Sequence, residues 1–588
     1  MDTIKKSLRH TPAMRWLMLL LISGLTFGTY WFQDFFGGLK TIMENDMGFT
    51  SEEFGRLIGL TTIANMFGMI IVGGIILDKW GVRMAGIVFG GVATLGASIT
   101  ALASAGFFGE DHSTMLNMMI LGRILFGSGL EVVCVVATRT AVKWFKGYEL
   151  ALAMALNMGL GRLGSAMGIA LAPDIANGSV PSAVTFAATL IGIALIMFLI
   201  YSVFDIKLDR QEKVEGAEED GEDFKFSDLV KLITNKSFLF IALLCVAFYS
   251  AVFPFIQYAP DILINKFEFS ILLPENGNIE LFGSTSLGNA SVFVALYIFA
   301  IAFAAIPKQI KNINTRRVYM AVIALLFAAF LASIWDVMGI WLQNGSKTAA
   351  LIPLGTIIFT PIFGSYVDSK GKAASLMILG ALLLIFAHVS MSLFNYDWLA
   401  YLGLISLGIA FSLVPAAMWP SVAKIVAENR LGTAYASMFT IQNWGLGLFF
   451  WGIGAMVDWF NPKIVAAKQA IADQLHAFNL KDNTITTIRN GLQDIGLASG
   501  QEREVIQEMR FEEISNQLAA NNSPEKVDEV MNYLSSLGEI PAYDYTYPIL
   551  ALVGLGVISI FLAFQLKKAD AKQRYGLELP SGQTPDDE

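Results

Sequence analysis

Long apolar runs, each bounded by a short polar stretch, dominate the hydrophobic pattern of this chain. Each run is about long enough to cross a hydrocarbon core of ~30 Å as a helix. The pattern therefore predicts an all-α membrane protein with about fourteen spans. The predicted spans cover residues 14–33, 57–77, 84–105, 115–143, 150–172, 183–204, 238–258, 289–306, 317–337, 348–367, 374–394, 398–421, 434–457 and 546–566.

Composition supports a membrane protein, because 55% of the 588 residues are hydrophobic and only 15% are charged. A mean hydropathy of +0.58 excludes an ordinary soluble domain, which cannot bury so much apolar surface. The first run follows several basic residues, as in a secretory signal. We interpret it as the first span, because it is longer than the apolar core of a signal and no small-residue cleavage site follows it.

Lysine and arginine residues cluster in alternate loops, and this placement predicts the orientation of the spans. The basic loops contain Lys79, Arg83, Lys143, Lys146, residues 308–317, Lys370, Lys372, Lys424, Arg430 and residues 567–574. The opposite loops contain the acidic residues Glu44, Asp46, Glu52, Glu53, Glu110, Asp111 and Asp174. Because basic loops stay in the cytoplasm, both termini are expected there.

Polar stretches divide the chain into five parts. Residues 1–204 form a first half of six spans, and an acidic linker covers residues 205–236. The second half follows in residues 237–460, and a polar insert fills residues 461–545. The last span and a tail occupy residues 546–588.

The polar insert is expected on the external side, and it reads as helical because Ser523-Pro524-Glu525 is a typical helix start. Two interpretations stay open for it. One is a solvated cap without a chemical role, and the other is an element that docks a protein partner or takes part in gating.

A short motif occurs once in each half, in the loop after a predicted span. Both copies read G-x3-D-x2-G followed at once, or after one residue, by a basic residue. Glycine permits a sharp turn and a close helix approach, the aspartate suits a helix N-terminus, and the basic residue can anchor the loop at the membrane surface. Two copies at corresponding places indicate an internal repeat, as in many transporters, and predict a hinge. The motif residues are Gly74, Asp78, Gly81 and Arg83 in the first copy, and Gly364, Asp368, Gly371 and Lys372 in the second.

This repeated motif resembles the signature loop of the major facilitator superfamily. Further segments resemble one branch of it, the lysosomal dipeptide transporters. These segments are residues 28–34, 122–131, 143–150, 161–165, 249–256, 417–420, 431–435 and 441–443. The resemblance implies two halves of six helices around a central cavity, which expose a midplane site alternately to the two sides of the membrane.

The chain departs from this family pattern at two places. Residues 289–337 form an extra two-helix hairpin, and the insert 461–545 is also additional. Neither terminus carries an acidic dileucine sorting signal, so a lysosomal location is not supported by the sequence. We expect a bacterial cytoplasmic (inner) membrane.

Two opposite charges are predicted at the same depth in the membrane. Glu131 and Arg162 each lie about twelve residues from the cytoplasmic end of their spans, which is ~18 Å at 1.5 Å per residue. Charges at such depth are costly and mark functional sites. A zwitterion could separate them, with its carboxylate on the arginine and its ammonium on the glutamate, and the resemblance implies that role. A purely structural ion pair is the alternative.

Two further charges in the first half are weaker candidates. Asp34, at the outer end of the first span, either lines the external mouth or is simply solvated. Arg123 belongs to an R-x-x-x-G pattern that is common across the superfamily, and we interpret it as structural.

Aromatic and amide side chains of the second half are predicted to face the cavity. Trp419, Gln442 and Asn443 would pack substrate side chains and bind peptide groups, with core packing as the alternative. Tyr249 lies near Pro254, where a kink is expected, and either gates the site or packs.

No motif predicts an enzyme, a metal site or a cofactor. The chain contains no P-loop, no paired Cys or His ligands and no G-x-S-x-G, and no basic stripe suggests nucleic acid. We therefore expect a carrier in the lipid bilayer whose partner is a small zwitterion, most readily a dipeptide. The alternatives are an organic-anion carrier that uses Arg162 and Arg123, and a non-transporting sensor or scaffold that uses the insert.

Overall fold

The computed structural model of the protein is helical throughout the part of the chain that it describes. That part comprises residues 8–177, 179–212, 232, 234–304, 306–426, 430–497, 500–537, 542–580 and 583. These residues form no β-strand beyond isolated bridges. The predicted all-α class is confirmed. The central part of the predicted acidic linker, residues 213–231, lies outside the described residues.

Among the described residues, seven α-helices build the first half and nine follow before the insert. The first half contains α1 (Pro12–Met47), α2 (Ser51–Gly59), α3 (Ile63–Met66), α4 (Met69–Ser104), α5 (His112–Phe145), α6 (Leu150–Ala176) and α7 (Val180–Glu212). The second half contains α8 (Lys236–Phe267), α9 (Thr285–Ala304), α10 (Ile313–Ser333), α11 (Trp335–Leu342), α12 (Gly345–Ala349), α13 (Leu351–Lys370), α14 (Ala373–Leu393), α15 (Asp397–Ile425) and α16 (Leu431–Phe460). The insert contains α17 (Pro462–Ala477), α18 (Asp482–Leu497), α19 (Gly500–Ala519) and α20 (Pro524–Ser536), and α21 (Thr546–Gln573) closes the second half.

The number of membrane spans differs from the expected fourteen. Within the described residues, 11 helices are long and apolar enough to cross a membrane, or 12 if the pair bent by 53° at Gly68 is one span. Two further spans were predicted at residues 150–172 and 434–457. The helices there, α6 and α16, have 27 and 30 residues but are not among the helices that meet these criteria. The count of fourteen is therefore not confirmed.

Glycine residues bring helices of one half into backbone contact. A Cβ atom at Gly38 of α1 would lie 2.2 Å from the carbonyl oxygen of Ile169 on α6. One at Gly122 of α5 would lie 2.6 Å from the carbonyl oxygen of Gly96 on α4. Small residues of this kind drive helix packing in lipid, where no hydrophobic effect separates helix from tail.

The two halves meet closely on the face of the bundle that carries residues 461–545, which we call the cap face; the opposite face is the terminal face. A Cβ atom at Gly55 of α2 would lie 2.6 Å from the carbonyl oxygen of Phe450 on α16. Lys347 of α12 is buried and forms an ion pair with Asp174 of α6. Asn289 also donates to Asp174, at 3.1 Å. The cap face is therefore closed in this conformation.

The extra hairpin consists of α9 and α10. Tyr297 of α9 packs on α6, where its hydroxyl donates to the carbonyl of Leu156 at 2.9 Å. Helix α10 has no buried residue. Phe327 of α10 contacts Phe299 and Phe303 of α9, with ring centroids 5.1 and 5.7 Å apart.

The insert is a small helical unit with a core of its own. Arg510 of α19 joins Asp494 of α18 and Glu513 by ion pairs of 2.5 and 2.6 Å. The insert follows α16 and precedes α21, so both of its chain connections lead to the second half. Its core residues include Leu475, Ile488, Ile514, Leu518, Val530 and Leu534.

Candidate functional site

Glu131 and Arg162 lie near each other on α5 and α6, and both act on the same neighbour, Tyr30 of α1. Both side chains are only half-buried. No ion pair joins them, although both belong to the described part of the chain. The guanidinium carbon of Arg162 lies 5.7 Å from the centre of the Tyr30 ring and 4.5 Å from that of Phe411 on α15. The arginine is thus flanked by aromatic faces contributed by both halves.

The glutamate has different neighbours. Its carboxylate faces the side chain of Asn443 on α16, across the boundary between the halves. The Asn443 amide also donates to the carbonyl of Phe439 at 2.9 Å. On the other side, the Cys134 thiol and the Tyr30 hydroxyl contact each other one helical turn from Glu131. Besides Arg162 nearby, Glu131 therefore has neutral polar neighbours in Asn443, Cys134 and Tyr30.

Aromatic side chains of the second half form the opposite wall. The Trp419 indole donates to the Tyr249 hydroxyl at 3.1 Å, and the Tyr249 ring stacks on Phe253 with centroids 5.5 Å apart. Phe411 meets Phe253 edge to face at 5.2 Å. This wall joins α8 and α15 and brings Tyr249, Trp419 and Arg162 to one region. Phe411 was not singled out from the sequence, because an isolated phenylalanine in an apolar run carries no signal.

Gln442 lies behind the wall. It is buried, and its side-chain oxygen accepts from the Cys245 thiol of α8 at 3.2 Å. The side-chain oxygen of Gln442 is thus already hydrogen-bonded within the second half.

Asp34 is buried at 3% exposure, so the solvated alternative is wrong. Its carboxylate accepts from the Ser165 hydroxyl of α6 and from the Gln257 amide of α8, the latter at 2.8 Å. Three helices from both halves meet there, and the cost of burying the charge is offset by these donors.

Arg123 is fully buried, and among the other candidates it interacts electrostatically with Asp34. It donates to the carbonyl of Phe32 at 2.8 Å, and the rings of Phe32, Phe36 and Phe126 surround its guanidinium at 5.5, 4.9 and 5.2 Å. These contacts tie α5 to α1. A direct role for Arg123 in binding an organic anion has no geometric support.

The first signature loop is held by the protein itself. Gly81 interrupts α4 with φ of 77°, which is favourable only for glycine. Arg83 pairs with Asp205 at 2.8 Å and with Asp209. Lys143 joins the same two carboxylates at 2.8 and 2.6 Å. Helix α7 extends beyond the predicted half and supplies both aspartates, so the protein itself also holds this loop. Anchorage of Arg83 at the membrane surface stays a prediction.

The other residues of this loop give a mixed result. The side chain of Asp78 lies outside the described residues. A Cβ atom at Gly74, or at Gly364 in the second copy, would meet no atom within 4 Å. Close helix approach therefore does not explain these two glycines in this conformation.

The second signature loop binds the C-terminal tail. Gly371 and Lys372 have φ of 70° and 60°, and the Lys372 amide donates to the carbonyl of Glu578 at 3.0 Å. The Glu578 carboxylate accepts from the Ser375 hydroxyl at 2.7 Å. A Cβ atom at Gly371 would lie 2.3 Å from the carbonyl carbon of Leu579. Asp368 lies on the last turn of α13 with an exposed side chain.

Known proteins resemble the chain over most of its length. Two curated relatives, from zebrafish (Danio rerio) and human (Homo sapiens), carry the name lysosomal dipeptide transporter MFSD1. Each is 26% identical over 76% of this chain, and the matches cover 81% and 80% of the relatives.

Solved structures share the fold. A bacterial homologue of the human lysosomal transporter Spinster, solved inward-facing and occupied, superposes with a TM-score of 0.52 and 13% identity. The match covers 97% of this chain and 100% of that one. The unoccupied form of that homologue gives the same TM-score at 14% identity.

The sequence profile of the Major Facilitator Superfamily matches residues 19–343, more than half of the chain. That match runs from α1 through α11 and includes the first signature loop and the Glu131–Arg162 region. The chain therefore belongs to the major facilitator superfamily.

Proposed function

We propose that this protein is a secondary transporter of small zwitterionic solutes, above all dipeptides, and that it works by alternating access. The observation that carries the proposal is the state of Arg162. Its guanidinium is half-buried, forms no ion pair or hydrogen bond with the described residues, and is flanked by Tyr30 and Phe411. The nearby carboxylate of Asp34 interacts with it electrostatically but is bound by Ser165 and Gln257. An arginine that forms no ion pair inside a membrane protein calls for a ligand that supplies an anion.

The chemistry of the cavity fits the two ends of a peptide. Arg162 offers a planar fork that binds a carboxylate through two parallel hydrogen bonds. Glu131 lies on the neighbouring helix with no cation bound to it, and can receive an ammonium. Both charges come from the first half, so the second half is left to contact the remainder of the solute.

The aromatic wall suits the side chains of a peptide. Tyr249, Phe253, Phe411 and Trp419 offer apolar area at little conformational cost, and the amide of Asn443 adds a polar group beside them. A wall of this kind tolerates peptide side chains of different size. We therefore expect the transporter to require the charged termini of its substrate and to accept many different side chains. The names of the relatives, lysosomal dipeptide transporters, support the same substrate class.

We also propose that the terminal face lies in the cytoplasm and the cap face outside, in a bacterial cytoplasmic membrane. The basic residues Arg83, Lys143, Lys424 and Lys567 gather on the terminal face, which agrees with the rule that basic loops stay inside. Labelling of an exposed cysteine at position 463 by an impermeant reagent in intact cells would test this orientation, because labelling would be absent if the cap face were cytoplasmic.

A ligand screen on the purified protein tests the proposed function. A solute that binds the folded state raises the unfolding temperature by mass action. Dipeptides, free amino acids, sugars and organic acids should be compared in one panel. We expect stabilisation by free dipeptides and none by sugars. Stabilisation by dicarboxylic acids alone would favour the organic-anion alternative, and a panel without any effect would favour the sensor alternative.

A further inference from the structure

A chain of four charges with alternating sign lies at the cap face, three of them buried and the fourth, Lys468, partly exposed. Lys40 of α1 has no exposed surface, and its ammonium donates to Glu44 at 2.6 Å and to Asp261 of α8 at 2.9 Å. The second oxygen of Glu44 accepts from Lys468 of α17 at 2.8 Å. The order of charges is therefore Lys468, Glu44, Lys40 and Asp261, and their sum is zero.

Further groups complete the coordination of the two carboxylates. Asp261 accepts from the Thr41 hydroxyl at 2.5 Å and from the Tyr545 hydroxyl. Glu44 accepts from the Ser51 hydroxyl at 3.1 Å. The ring of Tyr543 lies 5.2 Å from the Lys40 ammonium and 4.3 Å from that of Lys468. A buried ionic network is favourable only when its members are satisfied in this way, and it becomes costly when one partner is removed.

The network crosses the boundary between the two halves at two points. Lys40 and Glu44 belong to the first half, Asp261 belongs to the second, and Lys468 belongs to the insert, whose ends both connect to the second half. Separation of the halves at the cap face must therefore break Lys40–Asp261, and must either break Lys468–Glu44 or pull the insert with α1.

Other contacts hold the insert to the end of α1. The Asn45 amide donates to the side-chain oxygens of Asn490 and Gln493 at 2.8 and 2.6 Å. The guanidinium of Arg489 donates to the carbonyl of Asn45 at 2.9 Å, and the Thr486 hydroxyl donates to Asp46 at 3.0 Å. A solvated cap without a role would not need to bind a helix of the opposite half with this many groups.

We propose that the insert is part of the gate at the cap face, and that Lys468 is a positioning residue which stabilises the closed state through Glu44. The proposal goes beyond the proposed function and rests only on its alternating-access part. It requires no particular solute. Loss of the Lys468 charge leaves Glu44 with a single buried cation, so the closed state becomes less stable relative to the state in which the cap face is open.

Spin-label distances across the cap face test this proposal without any ligand. The two cysteines, Cys134 and Cys245, are replaced by alanine, and labels are attached to cysteines at the exposed positions Glu110 and Tyr396, one in each half. Pulsed electron–electron double resonance in lipid nanodiscs then gives the distribution of distances between the two labels.

Lys468→Met is expected to increase the population at long distance several-fold over the parent protein, while Lys468→Arg keeps the parent distribution. Lys463→Met is the matched control, because Lys463 is exposed on the same helix and has no described partner. A folded Lys468→Met protein with the parent distribution overturns the proposal. If that variant does not fold, Lys468→Gln, which also removes the charge but keeps a polar side chain, decides the question by the same criterion. Since no solute is present, neither result depends on whether dipeptides are the substrate.

Discussion

Arg162 and Glu131 lie on adjacent helices beside the same tyrosine, Tyr30, and yet no ion pair joins them within the described chain. Arg162 is instead covered by the ring of Phe411 at 4.5 Å, and Glu131 faces the amide of Asn443. Each charge therefore has its own neighbour from the second half, and neither is the ion-pair partner of the other. A structural ion pair, the alternative considered from the sequence, would have brought them into contact.

Replacing Arg162 by lysine keeps the charge but removes the planar fork. We expect the binding free energy of dipeptides to become less favourable by about 1–3 kcal/mol, which is the usual cost of leaving a buried polar partner unpaired. Calorimetric titration of the purified protein measures this change. Arg510→Lys in the insert is the matched control, since it alters an arginine that pairs with Asp494 far from the cavity. Equal affinity for Arg162→Lys and the parent protein would contradict the assignment of the carboxylate site.

Glu131→Gln keeps the shape of the side chain but removes its negative charge. We expect free dipeptides to lose affinity while N-acetylated dipeptides, which carry no ammonium, lose much less. The measurement is a set of thermal shifts with free, N-blocked and C-blocked forms of one dipeptide. A variant that weakens all three forms equally would show that Glu131 acts on stability and not on the ammonium.

Replacing residues 463–544 by a short flexible linker should leave a folded carrier with measurable uptake, because the insert has its own core. The same deletion removes Lys468 and Tyr543 from around Glu44 and Lys40. We therefore expect a lower unfolding temperature and easier opening at the cap face. Uptake in cells, normalised to the amount of protein in the membrane, tests whether the shortened protein still transports. Complete loss of uptake at normal membrane levels would make the insert indispensable for transport.

Arg83→Gln should slow transport and leave the equilibrium affinity for solute nearly unchanged. Arg83 holds the first signature loop to Asp205 and Asp209 of α7, at the terminal face and away from the cavity. Comparison of uptake rate with binding affinity tests this expectation, and Lys79→Gln, an exposed neighbour in the same loop, is the control. A variant that is well folded but no longer binds solute would show that the loop is not merely a hinge.

Hydrophobic runs and the repeated motif were sufficient to predict the all-α membrane class and the superfamily, because both are local in sequence. Contacts between distant segments were not predictable. Lys40 lies in α1 beyond the predicted end of the first span, and its partner Asp261 is 221 residues away. Ser375 and Glu578 are 203 residues apart. Nothing in the local pattern around either residue indicates such a partner, so the gate network and the docked tail emerged only from the structure.

Depth arguments placed Glu131 and Arg162 correctly as neighbours in the bundle, since helix rise and short connections constrain adjacent spans. They could not show whether the side chains touch, because rotation of each helix about its own axis is set by packing. The partners of Arg83 within the protein were missed for a different reason. The boundary at residue 204 assigned Asp205 and Asp209 to a linker, whereas α7 continues through both.

Helix α10 has 21 residues, and none of them is buried by the protein. In a bilayer such a helix is surrounded by lipid on nearly every side. Its stability therefore depends on the average apolarity of its side chains and hardly on their individual shapes. Its sequence is therefore free to drift among leucine, isoleucine, valine, phenylalanine and alanine, whereas α8, with most of its side chains packed, is not. Two helices that are both apolar enough to span a membrane are thus under very different constraint, and relatives of this protein should diverge in α10 far sooner than in α8.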